Sequence, residues 1–456
     1  MKTCSLFIKT LLLYFLVFSL YGCRKSENKP DYPAGSQENI NSWILDSMKV
    51  YYYWNTSLPA NPSLAVDPVT FFKGIKNGSD RFSALVNPDF PESYPPSLVH
   101  ILGFDWITLQ TGSGKVQTVV SLVVPDSRAA GKGLVRGDMI KTINGTIPTA
   151  DNIAVLTSNS IAQQSADLEI EGKTGVVRIS RLTNSEDPVY TYKVFQSAGK
   201  NYAYLFLNSF EDAALAQIKK AFTYFKEQHA QELILDMRYN PGGSVPVAAA
   251  LATMIASNTT TGALFVEYRG NSKAGSRKSS FGTEIQRLQG ALRTDFIELS
   301  GYRLGLNRVF ILTGTHTASA AELLINSLRP YITVIQSGQQ TLGKDMASFV
   351  IKDYRNPQIV PKWEIYPMIF KLFNAAGKGD YSNGLMPDQL ADELSSLPLK
   401  PFGDPADPLV QSCLERSTVT TTSRLKVESV AEKPRVIYDS RVPVDLKSSL
   451  TITRPY

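Results

Sequence analysis

RVFILTGTHTASAAELLINSLRPYITVIQSGQQTLGK, residues 308 to 344, joins an apolar run, a small-residue turn, an amphipathic stretch, a second apolar run and a lysine. Arg308 to Thr313 is short, apolar and rich in β-branched residues, which reads as a buried strand. Gly314 to Ala318 breaks that run with small and polar residues, as a sharp strand-to-helix turn requires. From Ser319 onward, Leu323, Leu324, Ile325 and Leu328 form a helical stripe that stops before Pro330. Ile332 to Ile335 is the returning strand, so the spacing predicts a compact βαβ unit with Ser319 at a helix N-terminus. The helix dipole and free N–H groups favour negative charge there.

A serine hydroxyl is a poor nucleophile until a base takes its proton. The chain has three histidines (His100, His229 and His316), so histidine-based triads have few candidates. Lys344 follows Ser319 by 25 residues (344 − 319), just past the second strand. A desolvated lysine amine loses its charge more readily and can serve as general base, and Ser–Lys pairs are a known variant of the triad. Taken singly, each residue also has a plainer reading. Ser319 reads equally as an N-cap, Lys344 as a solvated lysine, His316 as a turn residue and Glu322 as half of a capping box.

Together the motifs are more specific. Thr317-Ala318-Ser319-Ala320-Ala321-Glu322 followed by Gly343-Lys344, preceded by Leu233-Ile234-Leu235-Asp236-Met237-Arg238-Tyr239-Asn240-Pro241-Gly242-Gly243, resembles the C-terminal processing (tail-specific) serine peptidases. The resemblance implies an α/β fold with a crotonase-like ββα-type catalytic core. It implies Ser319 as nucleophile, Lys344 as general base, and an oxyanion hole from the Ala320 amide and one amide of the Gly242-Gly243 turn. Glycines suit such a turn because they reach positive φ and let backbone approach a developing oxyanion. Many members carry a glutamine four residues after the lysine, where this chain has Ser348. The third member is therefore open between Ser348 and Glu322. No cofactor and no metal is implied.

Length, charge and cysteines bound the rest. At 456 residues, two to four domains are expected. A hydrophobic content of 43% with 19% charged residues is globular. No long Lys/Arg block accompanies the net charge of +6, which argues against a nucleic-acid partner. Lys2 and Lys9 precede an apolar run, Leu11 to Leu20, too short for a comfortable membrane span. It ends in Leu20-Tyr21-Gly22-Cys23, which resembles a bacterial lipobox. Residues 1–22 then read as a lipoprotein signal peptide, with Cys23 acylated and anchored in the cell envelope, on the periplasmic side of a membrane or at the cell surface. An uncleaved anchor or an ordinary secretion signal is the alternative. With Cys4 removed and Cys23 modified, only Cys413 remains, which leaves no intramolecular disulfide and no Cys-based metal site.

In chain order, residues 23–40 read as a polar tether and 41–97 as a small helical domain. In the latter, Leu45, Met48 and Tyr52 recur at helical spacing and Asp67-Pro68 begins a second helix. The cluster Tyr51-Tyr52-Tyr53-Trp54 reads as core packing, with a ligand platform as the alternative. Residues 98–184 turn to short strands. Their Leu102-Gly103-Phe104, Ser127 to Ala130, Gly137-Asp138 and Asn144-Gly145 resemble a PDZ domain, preceding the core, and Asn-Gly between apolar runs predicts a hairpin. PDZ domains add a peptide as a strand at a sheet edge. The resemblance implies a terminal carboxylate held at Gly103-Phe104 and a groove wall formed by Asp151 to Ser158. Residues 185–400 form the peptidase core, in which Asn258 to Leu306 reads as a loop or hairpin excursion. Residues 401–456 are a C-terminal extension whose Thr418 to Arg424 reads as flexible. The expected function is a serine endopeptidase acting on protein or peptide substrates, in part through their C-termini. The alternatives are a catalytically inactive peptide- or ligand-binding lipoprotein on the same scaffold, and an interaction protein in which only the PDZ domain acts.

Overall fold

The computed structural model describes residues 32–87, 89, 97–181, 187–356, 358, 362–418 and 434–441. The leader, Cys23 and residues 419–424 lie outside them. Helices α1 (Gln37–Tyr51) and α2 (Pro68–Ile75) come first. Asp67 caps α2 by accepting the Thr70 N–H at 2.9 Å, with Pro68 opening the helix as its fixed φ allows. Tyr52 is fully buried and its hydroxyl donates to Asp80 at 2.8 Å, so this aromatic serves packing. The short strand β1 (Ala84–Val86) closes the segment.

A second unit runs α3 (Leu98–Leu102), β2 (Phe104–Gln110), β3 (Val116–Val123), α4 (Arg128–Gly131), β4 (Met139–Ile143), α5 (Ile153–Ala162), β5 (Ser165–Ile170) and β6 (Val176–Ser180). Its strands pair antiparallel in the order β2-β3-β4-β5-β6 around a separate core that includes Phe104, Trp106, Ile140, Ile153 and Leu168. Asn144 and Gly145 take positive φ, but only Ile143 and Thr146 bridge across them. The expected hairpin ends there because the chain passes on into α5.

The largest unit continues with β7 (Val189–Ser197), β8 (Lys200–Leu207), α6 (Ala214–Glu227), β9 (Glu232–Asp236), α7 (Val245–Ile255), β10 (Leu264–Arg269), β11 (Ser276–Ser280), α8 (Phe281–Ile285) and α9 (Phe296–Ser300). Then come β12 (Arg308–Thr313), α10 (Ala320–Leu328), β13 (Thr333–Gly338), β14 (Met346–Ala347), β15 (Ile351–Lys352), β16 (Glu364–Tyr366), β17 (Phe370–Phe373) and β18 (Gln389–Leu390). The last elements are α11 (Pro408–Thr418) and β19 (Arg435–Asp439).

The main sheet has the order β18-β13-β12-β9-β8-β7, parallel throughout except for β7. Period-2 alternation divides its side chains between two cores. Ala203, Leu205, Leu233, Leu235, Val309 and Ile311 join the core built with α6, α7 and α10. Tyr202, Tyr204, Phe206, Ile234, Phe310 and Leu312 face the other way, where α11 supplies Leu409, Val410 and Cys413. Burial on both faces is why these strands read as nearly continuous apolar runs. Every residue of α7 is buried. The 258–306 excursion explains that burial, because it contributes the β10-β11 hairpin together with α8 and α9, which pack on α7. No helix among the described residues is long and apolar enough to cross a membrane.

Candidate functional site

Strands β9, β12 and β13 are neighbours running in one direction, so the loops beyond their C-terminal ends converge. Hydrogen bonds tie these loops together. The Ala318 N–H donates to Asn240 O at 2.9 Å and the Leu342 N–H to Thr317 O at 2.9 Å. The Thr317 hydroxyl donates to Met237 O at 2.8 Å.

Ser319 sits between β12 and α10 with φ 62° and ψ −118°. A non-glycine residue at positive φ costs about 1–3 kcal/mol, and an ordinary N-cap lies in the extended region instead. The turn is held by Glu322, one helical turn on. Its Oε2 accepts both the Ser319 N–H and the Lys344 N–H, each at 2.8 Å. The two nitrogens are therefore at most 5.6 Å apart, twice that distance. Oε1 accepts the Gly343 N–H at 2.7 Å and the Thr341 hydroxyl at 2.5 Å. Burial pushes the Glu322 carboxyl above its usual range, against the pull of these four donors. Four donors on two oxygens suit the ionised form, which only accepts. Glu322 thus fulfils its capping-box half and also joins the two loops.

Gly242 lies against the serine. A Cβ there would meet Ser319 Cβ at 2.5 Å and Ala320 N at 2.9 Å, and its φ of +111° already disfavours a side chain. The Gly242 N–H is taken by Asn240 Oδ1 at 2.8 Å, while Asn240 Nδ2 donates to Leu207 O at 2.9 Å. That leaves Gly243 as the glycine of the pair whose amide meets no acceptor among the described residues; Phe210 bridges it through Gly242 O and the Ser244 N–H. The Ala320 amide lies at the first position of α10, where helical N–H groups have no intrahelical acceptor.

Lys344 is 1% exposed, and its Nζ lies 5.6 Å from the centre of the Phe82 ring. Gly343 before it must be glycine, since a Cβ at its φ of +92° would meet Ser382 O at 2.2 Å. Arg81 grips the same loop, donating to Leu342 O at 3.3 Å and Ser382 O at 3.2 Å. The segment Asp80 to Ser83, which follows α2, is thereby turned onto the lysine loop. Ser348 is fully buried. His316 Nε2 lies 2.9 Å from Asp439 Oδ2 on β19, which fits a turn residue anchored elsewhere.

Behind the site, Arg238 is buried and pairs with Asp236 and Asp407, reaching Glu393 at 3.1 Å. Arg136, from the second unit, pairs with Glu393 at 2.7 Å and donates to Tyr239 Oη at 2.9 Å. Burial pushes Glu393 up, but Arg136, followed by Arg238 and Arg441, brings it down to about 2. Asp236, Arg238 and Tyr239 lie within the 233–243 motif, but nothing local announced their partners Arg136, Glu393 and Asp407, which are far away in the chain.

In the second unit Gly103 ends α3 in the left-handed conformation, and its N–H donates to Val99 O at 2.8 Å. That amide is committed to the helix, and the Phe104 ring is core. Among the described residues no cluster of three or more His, Cys, Asp or Glu could hold a metal ion.

The sequence matches Peptidase family S41 over residues 201–389 and the Peptidase S41 N-terminal domain over 39–84, together just over half of the chain. It is 25% identical to a carboxyl-terminal-processing protease of Picosynechococcus over 243 residues, 50% of each chain. A carboxy-terminal processing protease of Bacillus subtilis is 21% identical over 332 residues, 72% of this chain and 64% of that one. The chain spans about half the length of the first two curated relatives it matches. A crystal structure of a Bacteroides fragilis protein assigned to the S41 proteases superposes with a TM-score of 0.67 at 25% identity, covering 86% of this chain and 99% of that one.

Proposed function

The chain belongs to peptidase family S41, and from that premise we propose that it is a serine endopeptidase working through Ser319 and Lys344. The Ser319 hydroxyl attacks the scissile carbonyl carbon while the Lys344 amine takes its proton. The tetrahedral oxyanion is met by the amides of Ala320 and Gly243. Collapse breaks the C–N bond, the lysine ammonium protonates the leaving amine, and an acyl-serine remains. Water, deprotonated by Lys344, then releases the acid and restores the serine. Glu322 touches neither substrate nor the reacting atoms in this scheme; it positions both loops. With Glu322 in that positioning role, the buried Ser348 is the candidate left for third member.

One observation carries the reading: a strained serine turn and a buried lysine share one carboxylate oxygen, with backbone nitrogens no more than 5.6 Å apart, each 2.8 Å from it. The test is labelling by a fluorophosphonate probe mapped to Ser319, together with cleavage of an unfolded reporter protein. Ser319→Ala and Lys344→Ala should each reduce cleavage by at least about 10³-fold. Unlabelled protein, or variants that cleave like the parent, would favour the second reading, a peptide-binding lipoprotein on the same scaffold. The serine at position 348 in place of the family's glutamine speaks for that reading.

Residues 98–184 act as the PDZ domain that brings in substrate. The support is an antiparallel sheet whose strand β2 follows the Gly103-Phe104 turn and faces α5, with Trp106 Nε1 donating to Thr157 Oγ1 at 3.2 Å. Because the Gly103 amide is already bonded, the groove is suited to an extended internal segment as well as to a chain end. The chain is attached through acylated Cys23 to a bacterial membrane, on the periplasmic side or at the cell surface. The apolar run ending at Gly22-Cys23 supports that placement.

A further inference from the structure

The open side of β2 is covered by the chain itself. β19 runs antiparallel to it, with Arg435 opposite Gln110, Val436 opposite Leu109, Tyr438 opposite Thr108 and Asp439 opposite Ile107. Past the strand, the Ser440 N–H donates to Trp106 O at 3.0 Å. The Trp106 N–H donates to Ser440 Oγ at 2.9 Å, and the Ser440 hydroxyl to Asp105 Oδ1 at 2.7 Å. The Tyr438 ring packs on the core of this unit with Ile101 and Ile161, and Thr157 of α5 lies beside its hydroxyl. The segment therefore lies between β2 and α5, heading toward Gly103, the place and polarity in which an added peptide strand would lie.

The far end of the segment is pinned to the peptidase core. Asp439 Oδ2 lies 2.9 Å from His316 Nε2, three residues before Ser319. Arg441 is bonded to Asp439 at 3.0 Å, and its guanidinium carbon lies 3.7 Å from the centre of the Tyr239 ring, in the loop that carries Gly242 and Gly243. One short strand thus touches the peptide groove and two of the three loops that form the site.

Resting on the peptide-groove reading above, we propose that residues 435–441 are a built-in ligand that an extended substrate segment must displace, and that displacement frees the loops bearing Ser319 and Gly243. Exchange is physically easy. β19 is an end strand of five residues, Arg435 and Val436 are exposed, and the rest of the strand is only half-buried. An incoming strand replaces the ladder hydrogen bonds one for one. The ligand class is an extended polypeptide with an aromatic residue at the Tyr438 position and a small hydroxyl residue two places on, where Ser440 meets Asp105.

A fluorescent peptide copying residues 434–441 tests this on the full-length protein and on full-length Tyr438→Ala/Ser440→Pro, which loses the ring and the Ser440 N–H. A tethered strand competes at an effective concentration of about 1 mM, so the peptide should bind the variant at least about tenfold more tightly than the parent. In the parent, excess peptide should speed amide exchange across 435–440 while Phe104–Gln110 stays protected. Equal affinities with unchanged exchange overturn the built-in ligand and leave the groove intact. Binding to neither protein overturns the groove reading and this proposal together. Should the variant lose cooperative unfolding, the exchange measurement on the parent decides alone.

Discussion

At the scale of single residues, Glu322 is the side chain on which the geometry turns. Glu322→Gln keeps the shape but swaps one acceptor for an NH2 facing donors, and each unsatisfied buried group costs about 1–3 kcal/mol. We expect the urea midpoint to fall and kcat to drop by at least about tenfold, equivalent to about 1.4 kcal/mol. A variant with unchanged kcat would show that the shared oxygen does not position the loops. Gly242→Ala places a Cβ 2.5 Å from Ser319 Cβ and should abolish cleavage; Gly145→Ala, where a Cβ meets open space, is the control and should retain it. Ser319, Lys344 and the glycine turn could be proposed from sequence because each belongs to a local run with a recognisable order. The dual role of Glu322 was only half legible. Its capping place is a three-residue spacing, whereas its hold on Gly343 and Lys344 needs β13 paired beside β12.

At the scale of elements, the strand–turn–helix reading of 308–328 was available from periodicity, and α2 from its Asp-Pro start. The segment after α2 was not. Arg81 meets Leu342 across a separation of 261 residues, and no local pattern encodes that approach. Arg81→Ala, at an exposed position, should change stability by no more than about 0.5 kcal/mol. It should nevertheless lower kcat severalfold by loosening the lysine loop, measured as initial rates against thermal midpoints. A fall in the midpoint that accounts for the lost rate would assign Arg81 a purely structural place. The excursion 258–306 was also only partly readable. Its hairpin follows from turn residues, but its function as a cap over α7 depends on that helix being apolar all round.

At the scale of the whole molecule, the Arg136–Glu393–Arg238–Asp407 network joins the second unit, the main sheet and the C-terminal extension. Removing one member of a buried charge network costs about 3–5 kcal/mol, so Glu393→Gln should be strongly destabilising at neutral pH. Glu393 titrates at about 2 when folded and near the ordinary carboxylate value of 4.5 when unfolded. Its contribution is therefore fully present above about pH 4.5 and is lost as pH falls toward 2. The gap between parent and variant in denaturant midpoints should shrink across that window. A gap independent of pH would mean that packing, not charge, is what the residue supplies.

The amino-acid sequence alone determined the βαβ unit around Ser319, the order of serine, glycine turn and lysine, and the family resemblance they carry. Each of these rests on spacing within a few tens of residues, where periodicity, turn chemistry and capping act. Only the tertiary structure decided that one carboxylate binds two loops, that Phe82 lies beside the lysine amine while Arg81 holds its loop, and that β19 covers β2. Those contacts join residues tens to hundreds of positions apart, and they exist only once the packed sheets bring the loop ends together.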